Sequence, residues 1–138
     1  MKRIMALILA AMMMLCLCAV ASADNENSRA SDYFSTYGIA LSSPGSGKVN
    51  MTFSCNSVGT ASQLGVSAYR VYRYDDGSWT LVSGPNNGSY SYGSSSHSFS
   101  KTFSGVSGEK YRVSCTFLCT KNGTTETKSY TSGSITAK

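Results

Sequence analysis

Lys110-Tyr111-Arg112-Val113-Ser114-Cys115-Thr116-Phe117-Leu118-Cys119 is the stretch that decides the fold. Tyr111, Val113, Cys115, Phe117 and Cys119 alternate with Arg112, Ser114, Thr116 and Leu118. A period of two puts one set of side chains in a core and the other toward water, which is a half-buried β-strand. Ahead of it, Gly105-Val106-Ser107-Gly108-Glu109 reads as a loop that delivers the chain to a tyrosine at the strand's start.

Working outward, residues 48–56 repeat the pattern, with Val49, Met51, Phe53 and Cys55 against Asn50, Thr52 and Ser54. Residues 33–41 hold a first strand in which Tyr37, Ile39 and Leu41 alternate, stopped by Ser42-Ser43-Pro44-Gly45-Ser46-Gly47. A loop is expected over residues 57–63, and a third strand over residues 68–74. The latter turns at Asp75-Asp76-Gly77-Ser78 into a short return strand, residues 79–82, closed by Gly84-Pro85-Asn86-Asn87-Gly88. Residues 89–96 read as a loop or weak edge strand, residues 97–106 as a strand, and residues 125–135 as the last strand after a turn at Lys121-Asn122-Gly123. No helix signal follows Ala23. The expectation is an all-β chain: one antiparallel β-sandwich of about seven strands over residues 33–138, its core holding Phe53, Val71, Val113 and Phe117 together.

Residues 1–23 fall outside that domain. Lys2 and Arg3 precede an apolar run that ends in Ala21-Ser22-Ala23, the pattern of a secretory signal peptide cleaved before Asp24. Residues 24–32 are polar or small and read as a flexible lead-in. Twelve Lys and Arg, less Lys2 and Arg3, leave ten against seven carboxylates, a net charge of +3 with no basic run. That balance points to no nucleic-acid partner, and leader cleavage leaves no membrane segment. The last residues, Gly133-Ser134-Ile135-Thr136-Ala137-Lys138, carry no sortase-like motif or apolar tail, so release as a secreted, extracellular protein is expected.

The hairpin from Tyr69 to Val82 resembles the central hairpin of fibronectin type III modules, and Gly108 to Val113 resembles their loop and tyrosine corner, a feature of immunoglobulin-like sandwiches. Tyr33-Phe34, Gly47-Lys48-Val49, Leu64-Gly65, Ser78-Trp79-Thr80, Ser95-Ser96-His97 and Tyr130-Thr131-Ser132-Gly133-Ser134 resemble a family of small secreted proteins of Gram-positive, often gut, bacteria. That family, a domain of unknown function, has no established activity. The resemblance therefore implies an immunoglobulin-like or fibronectin type III-like sandwich and export, and lends no functional residues.

Three cysteines follow the leader. Cys115 and Cys119 stand about 13 Å apart along one strand at ~3.3 Å per residue, beyond the ~7 Å reach of a disulfide. Cys55 on an inward face could bridge to Cys115 or to Cys119, closing a loop of about 60 residues for about 4 kcal/mol. The third thiol would be buried and free, or would form a covalent dimer. No metal motif fits: zinc on cysteines with His97 lacks ligand spacing, and Asp75 with Asp76 is explained by the turn they form. His97 among serines is no triad, since a triad is a tertiary arrangement, and reads as a surface or edge-strand residue. The scattered carboxylates make no glycosidase pair. No catalytic residue and no cofactor is expected.

The remaining candidates are aromatic. With Tyr69 and Val71 inward, Arg70, Tyr72 and Tyr74 line an outer strand face, with Tyr90 and Tyr92 on a nearby edge or loop. Such rings could bind a glycan or a protein, or they could simply be residues that favour exposed strands. The expected function is a secreted, non-enzymatic binding module. Two alternatives are a structural, self-associating surface component and a hydrolase on the same scaffold.

Overall fold

The computed structural model describes residues 31–138, so the leader and the first seven residues of the lead-in lie outside the described residues. Ser31 and Asp32 are tied to the fold: the Ser31 hydroxyl accepts from the amides of Tyr33 and Phe34 at 3.1 and 2.8 Å, and Lys121 Nζ donates to the Asp32 carbonyl.

The described chain is all β. Its strands are β1 (Phe34–Gly45), β2 (Lys48–Asp75), β3 (Ser78–Asn87), β4 (Tyr90–Ser104), β5 (Lys110–Lys121), β6 (Thr124–Thr131) and β7 (Ile135–Thr136). All pairings are antiparallel, in one curled seven-stranded sheet. Its organiser is β2. Residues 48–57 of β2 pair with β1 on one side, and residues 48–56 pair with β4 on the other. Residues 63–73 pair with β5, and the opposite edge of this second half is shared between β3 and the start of β4. One strand thus belongs to two arms: β1–β2–β4 and β3–β2–β5–β6.

The expected loop at residues 57–63 is corrected by this continuity. Five positions of β2 advance, from Asn56 to Ala61, while β4 advances two, from Ser96 to Ser94. The excess forms a bulge, which bends a strand without ending it. Ala61 and Leu64, fully buried beyond the bulge, hold the bent chain to the core. Other boundaries move too. Strand β1 continues to Gly45 through a register shift that takes in Pro44, and β3 passes through Gly84-Pro85 at another. Proline is tolerated in both because each is an edge strand. Residues 89–96 mostly form the first part of β4, an edge strand, and the predicted last strand is two. At that break Ser132 takes both polar groups of Val113, its amide donating to the Val113 carbonyl and its hydroxyl accepting from the Val113 amide. The chain then crosses to pair Ile135 with Tyr111.

The hairpin turns follow sequence. Asp76 and Gly77 have φ of 44° and 90°, Asn122 and Gly123 51° and 77°, and Ser46 and Gly47 56° and 72°. Two successive positive φ angles make the tight turn whose twist matches the flanking strands.

The arms share one core. Phe53, Val71, Val113 and Phe117 are fully buried in the same cluster, as expected. Rings cross between the arms: Phe53 to Tyr69 at 5.0 Å, Tyr37 to Phe117 at 5.5 Å and Phe103 to Tyr111 at 5.4 Å. Each buried phenylalanine contributes about 1.5–3 kcal/mol. Tyr111 is 2 % exposed, and its Oη accepts a hydrogen bond from the Val106 amide at 2.8 Å, the backward contact of a tyrosine corner. Gly105 is required beneath it, because a Cβ there would lie 2.7 Å from the Tyr111 ring.

Candidate functional site

Antiparallel partners point to the same side of a sheet, so register assigns the outer face of the second arm. Tyr69 and Val71 face inward as expected, which turns Arg70, Tyr72 and Tyr74 outward. Tyr72 lies opposite Leu81 of β3 and Arg112 of β5, and Tyr74 lies opposite Trp79. These residues touch. The Trp79 and Tyr74 rings meet edge to face at 5.2 Å, and the Arg112 guanidinium lies over the indole at 4.4 Å and near the Tyr72 ring at 5.8 Å. Lys110 Nζ stands 5.4 Å from the centre of the Tyr74 ring. Cations within about 6 Å of a ring centre are held by its quadrupole, so rings and charges fix one another. Tyr74 and Leu81 remain 40 % and 46 % exposed. Arg70 sits one rank along, opposite Ser114, and continues the face.

Tyr90 and Tyr92 do not join this group. They pair with Gly65 and Gln63, seven to nine positions along β2 from Tyr72, about 23–30 Å at ~3.3 Å per residue. Conversely, Trp79, Leu81, Lys110 and Arg112 belong to the face although none is among the binding candidates that the sequence offers. Their signal was present: a hairpin closed at Asp76-Gly77 places Trp79 across from Tyr74. Finding Arg112 required the pairing of β2 with β5, which no local pattern specifies.

The thiols lie in the core. Cys55, Cys115 and Cys119 are buried and all three are free, so the expected bridge from Cys55 is not made. Burial, and then the charge of Cys119, pushes the Cys55 thiol up to about 12. Burial and then Cys55 raise Cys115. Cys119 is raised chiefly by burial, Lys121 opposing and Glu126 adding to the effect. Disulfide exchange needs a thiolate, and these surroundings suppress it.

His97 is on an edge strand but is not a surface residue: it is 9 % exposed, with Nδ1 2.7 Å from the Ser91 hydroxyl. Its Nε2 is buried without a partner among the described residues, and burial lowers its pKa. A hydroxyl and an imidazole are thus together, but among the described residues no carboxylate is hydrogen-bonded to the ring as a triad requires. Among the described residues no group of three or more His, Cys, Asp or Glu converges on a metal position. Asp75 is instead bound by Arg73, at 3.0 Å. An open hollow of about 230 Å³ lies between Ile39 and Leu41 of β1 and Ser132 to Ile135, lined by no ionisable side chain. The chain matches no protein family, no curated protein and no solved structure.

Proposed function

We propose that the chain is a secreted, non-enzymatic module that binds a ligand outside the cell through the outer face built by Tyr72, Tyr74, Trp79, Leu81, Lys110 and Arg112. The scaffold is an immunoglobulin-like or fibronectin type III-like sandwich in which the arms β1–β2–β4 and β3–β2–β5–β6 are the two layers. The tyrosine-corner contact of Tyr111 and the rings that meet between the arms support that reading. Export rests on the leader-like residues 1–23.

One observation carries the function. Three aromatic rings, a leucine and two cations are gathered on one outer face, where the fold asks only for polar residues. Stacked rings with small rotamer loss are what binding surfaces use. The test is a glycan and glycoprotein array probed with the protein and with a Tyr72→Ala/Trp79→Ala double variant. Expected is loss of capture with a melting temperature within a few degrees of the parent. Capture unchanged in the variant would remove this face from the function.

A further inference from the structure

We infer that the ligand of this face is an acidic glycan, a chain of pyranose rings bearing carboxylates or sulfates. The inference rests on the binding-face reading above and names its substrate class.

Charge is sorted between the two sides of the second arm. Five side-chain carboxylates are described, and none is ion-paired with a cation of the face. Asp75 is held by Arg73, which lies opposite the buried Tyr111 and therefore on the other side of β2. Glu109 lies between the turn at Gly108 and the start of β5, and its charge is felt by Arg73. Glu126 is paired with Lys128 at 3.0 Å, Asp76 is in the hairpin turn, and Asp32 lies at the Lys121 end. Lys110, Arg112 and Arg70 consequently have no ion-pair partner among the described residues.

Arg112 is the most telling of the three. Its guanidinium is stacked on Trp79, and among the described residues its buried Nε has no hydrogen-bond partner and its terminal nitrogens have no acceptor. A planar guanidinium fixed by stacking offers a preformed fork to a carboxylate or sulfate. The rings of Tyr72, Tyr74 and Trp79 supply apolar planes for the C–H faces of sugar rings. Beyond Arg70 the same face continues in hydroxyls, with Ser114 opposite Thr131 and Thr116 opposite Ser129. Rings, anion acceptors and hydroxyl groups in succession complement an acidic saccharide. An acidic peptide fits less well, since peptides add to a regular strand edge, and the outer edge of β3 is interrupted by register shifts at residues 83–86.

Titration calorimetry at low and raised salt tests this with four ligands: polygalacturonate oligomers, heparin oligosaccharides, neutral galactan oligomers and poly-L-glutamate. Expected is binding of one or both acidic glycans, weakened by salt and by about tenfold in each of Arg112→Gln and Lys110→Gln. Preference for the uronate or for heparin tells carboxylate from sulfate. Lys110 is exposed, so its variant tests the charge with the fold untouched. Neutral galactan bound equally well, with both variants unaffected, would overturn the acidic class and leave the binding face standing. Poly-L-glutamate bound in place of both glycans would overturn the glycan class. Binding of an acidic glycan that survives Tyr72→Ala/Trp79→Ala would overturn the face itself.

Discussion

The two halves of β2 obey the same alternation and bury similar side chains, yet their outer faces differ. Beside β1 and β4 the outer residues past Lys48, at the start of β2, are small and neutral: Asn50 accepts from Thr102 at 2.8 Å and Thr52 meets Ser100 at 2.9 Å. Beside β3 and β5 the corresponding positions hold Tyr72, Tyr74, Trp79 and Arg112. A half-buried sheet needs only solvated groups outside, and the first arm shows that short hydroxyls and amides suffice. The rings of the second arm exceed what a solvated face needs, and the binding proposal rests on that excess.

The sharpest way to break this contrast is to truncate one ring on each side of the sheet. Phe53 is fully buried, stacked on Phe99 at 4.8 Å and tilted against Tyr69. Phe53→Ala is expected to cost about 3–5 kcal/mol in urea unfolding. Tyr74→Ala on the outer face is expected to cost under about 1 kcal/mol. Equal losses would mean that the outer rings also hold the fold together.

Thiol chemistry sharpens the inner side. A Cys55 thiol at about 12 rather than the ordinary 9.0 has about a thousandfold less thiolate near pH 8. Iodoacetamide should label native Cys55 at least about a hundredfold more slowly than in denaturant. Without reductant, denaturant should expose Cys55, Cys115 and Cys119 all as free thiols. A single reactive cysteine would restore the bridge expected from sequence.

Tyr111→Phe keeps the buried ring but deprives the Val106 amide of its acceptor. The expected loss is about 1–2 kcal/mol, the effect of one poorly replaced hydrogen bond. A neutral substitution would show that the loop before β5 is held by Gly105 and the C-terminal segment instead, where the Gly108 amide donates to the Ala137 carbonyl at 2.8 Å.

Much of this was legible in the chain, and the misses have a common cause. Alternation named the buried residues of β5 and the first half of β2, and Asp76-Gly77 and Asn122-Gly123 named their turns, because both signals are local. The loop expected over residues 57–63 is instead bent strand, because polar Ser57, Thr60 and Ser62 break the alternation just where the strand changes partners. Ser132 ended β6 early through contacts with Val113, nineteen residues away. The outward direction of Arg70, Tyr72 and Tyr74 follows from the alternation around buried Tyr69 and Val71. Arg112 and Lys110 were missed because strand order decides which side chains become neighbours.

His97 offers a smaller effect. Its folded pKa lies below the unfolded value of about 6.5, because burial disfavours the charged ring. Below that value the unfolded chain binds more protons, so stability is fully present above about pH 6.5 and is lost as pH falls through the folded pKa. Urea midpoints measured from pH 7.5 to 5 should decline more steeply in the parent than in His97→Leu. Parallel declines would assign the acid sensitivity to carboxylates.

The least effect is expected where the contrast predicts none. Thr52→Val retains the β-branched shape, removes an exposed hydroxyl pair with Ser100, and lies on the face that carries no rings. Exposed changes of this kind fall within about 0.5 kcal/mol, so both the melting temperature and glycan capture should match the parent. Losing capture here would place the ligand across both arms, and the difference between their outer faces would then describe two parts of one site.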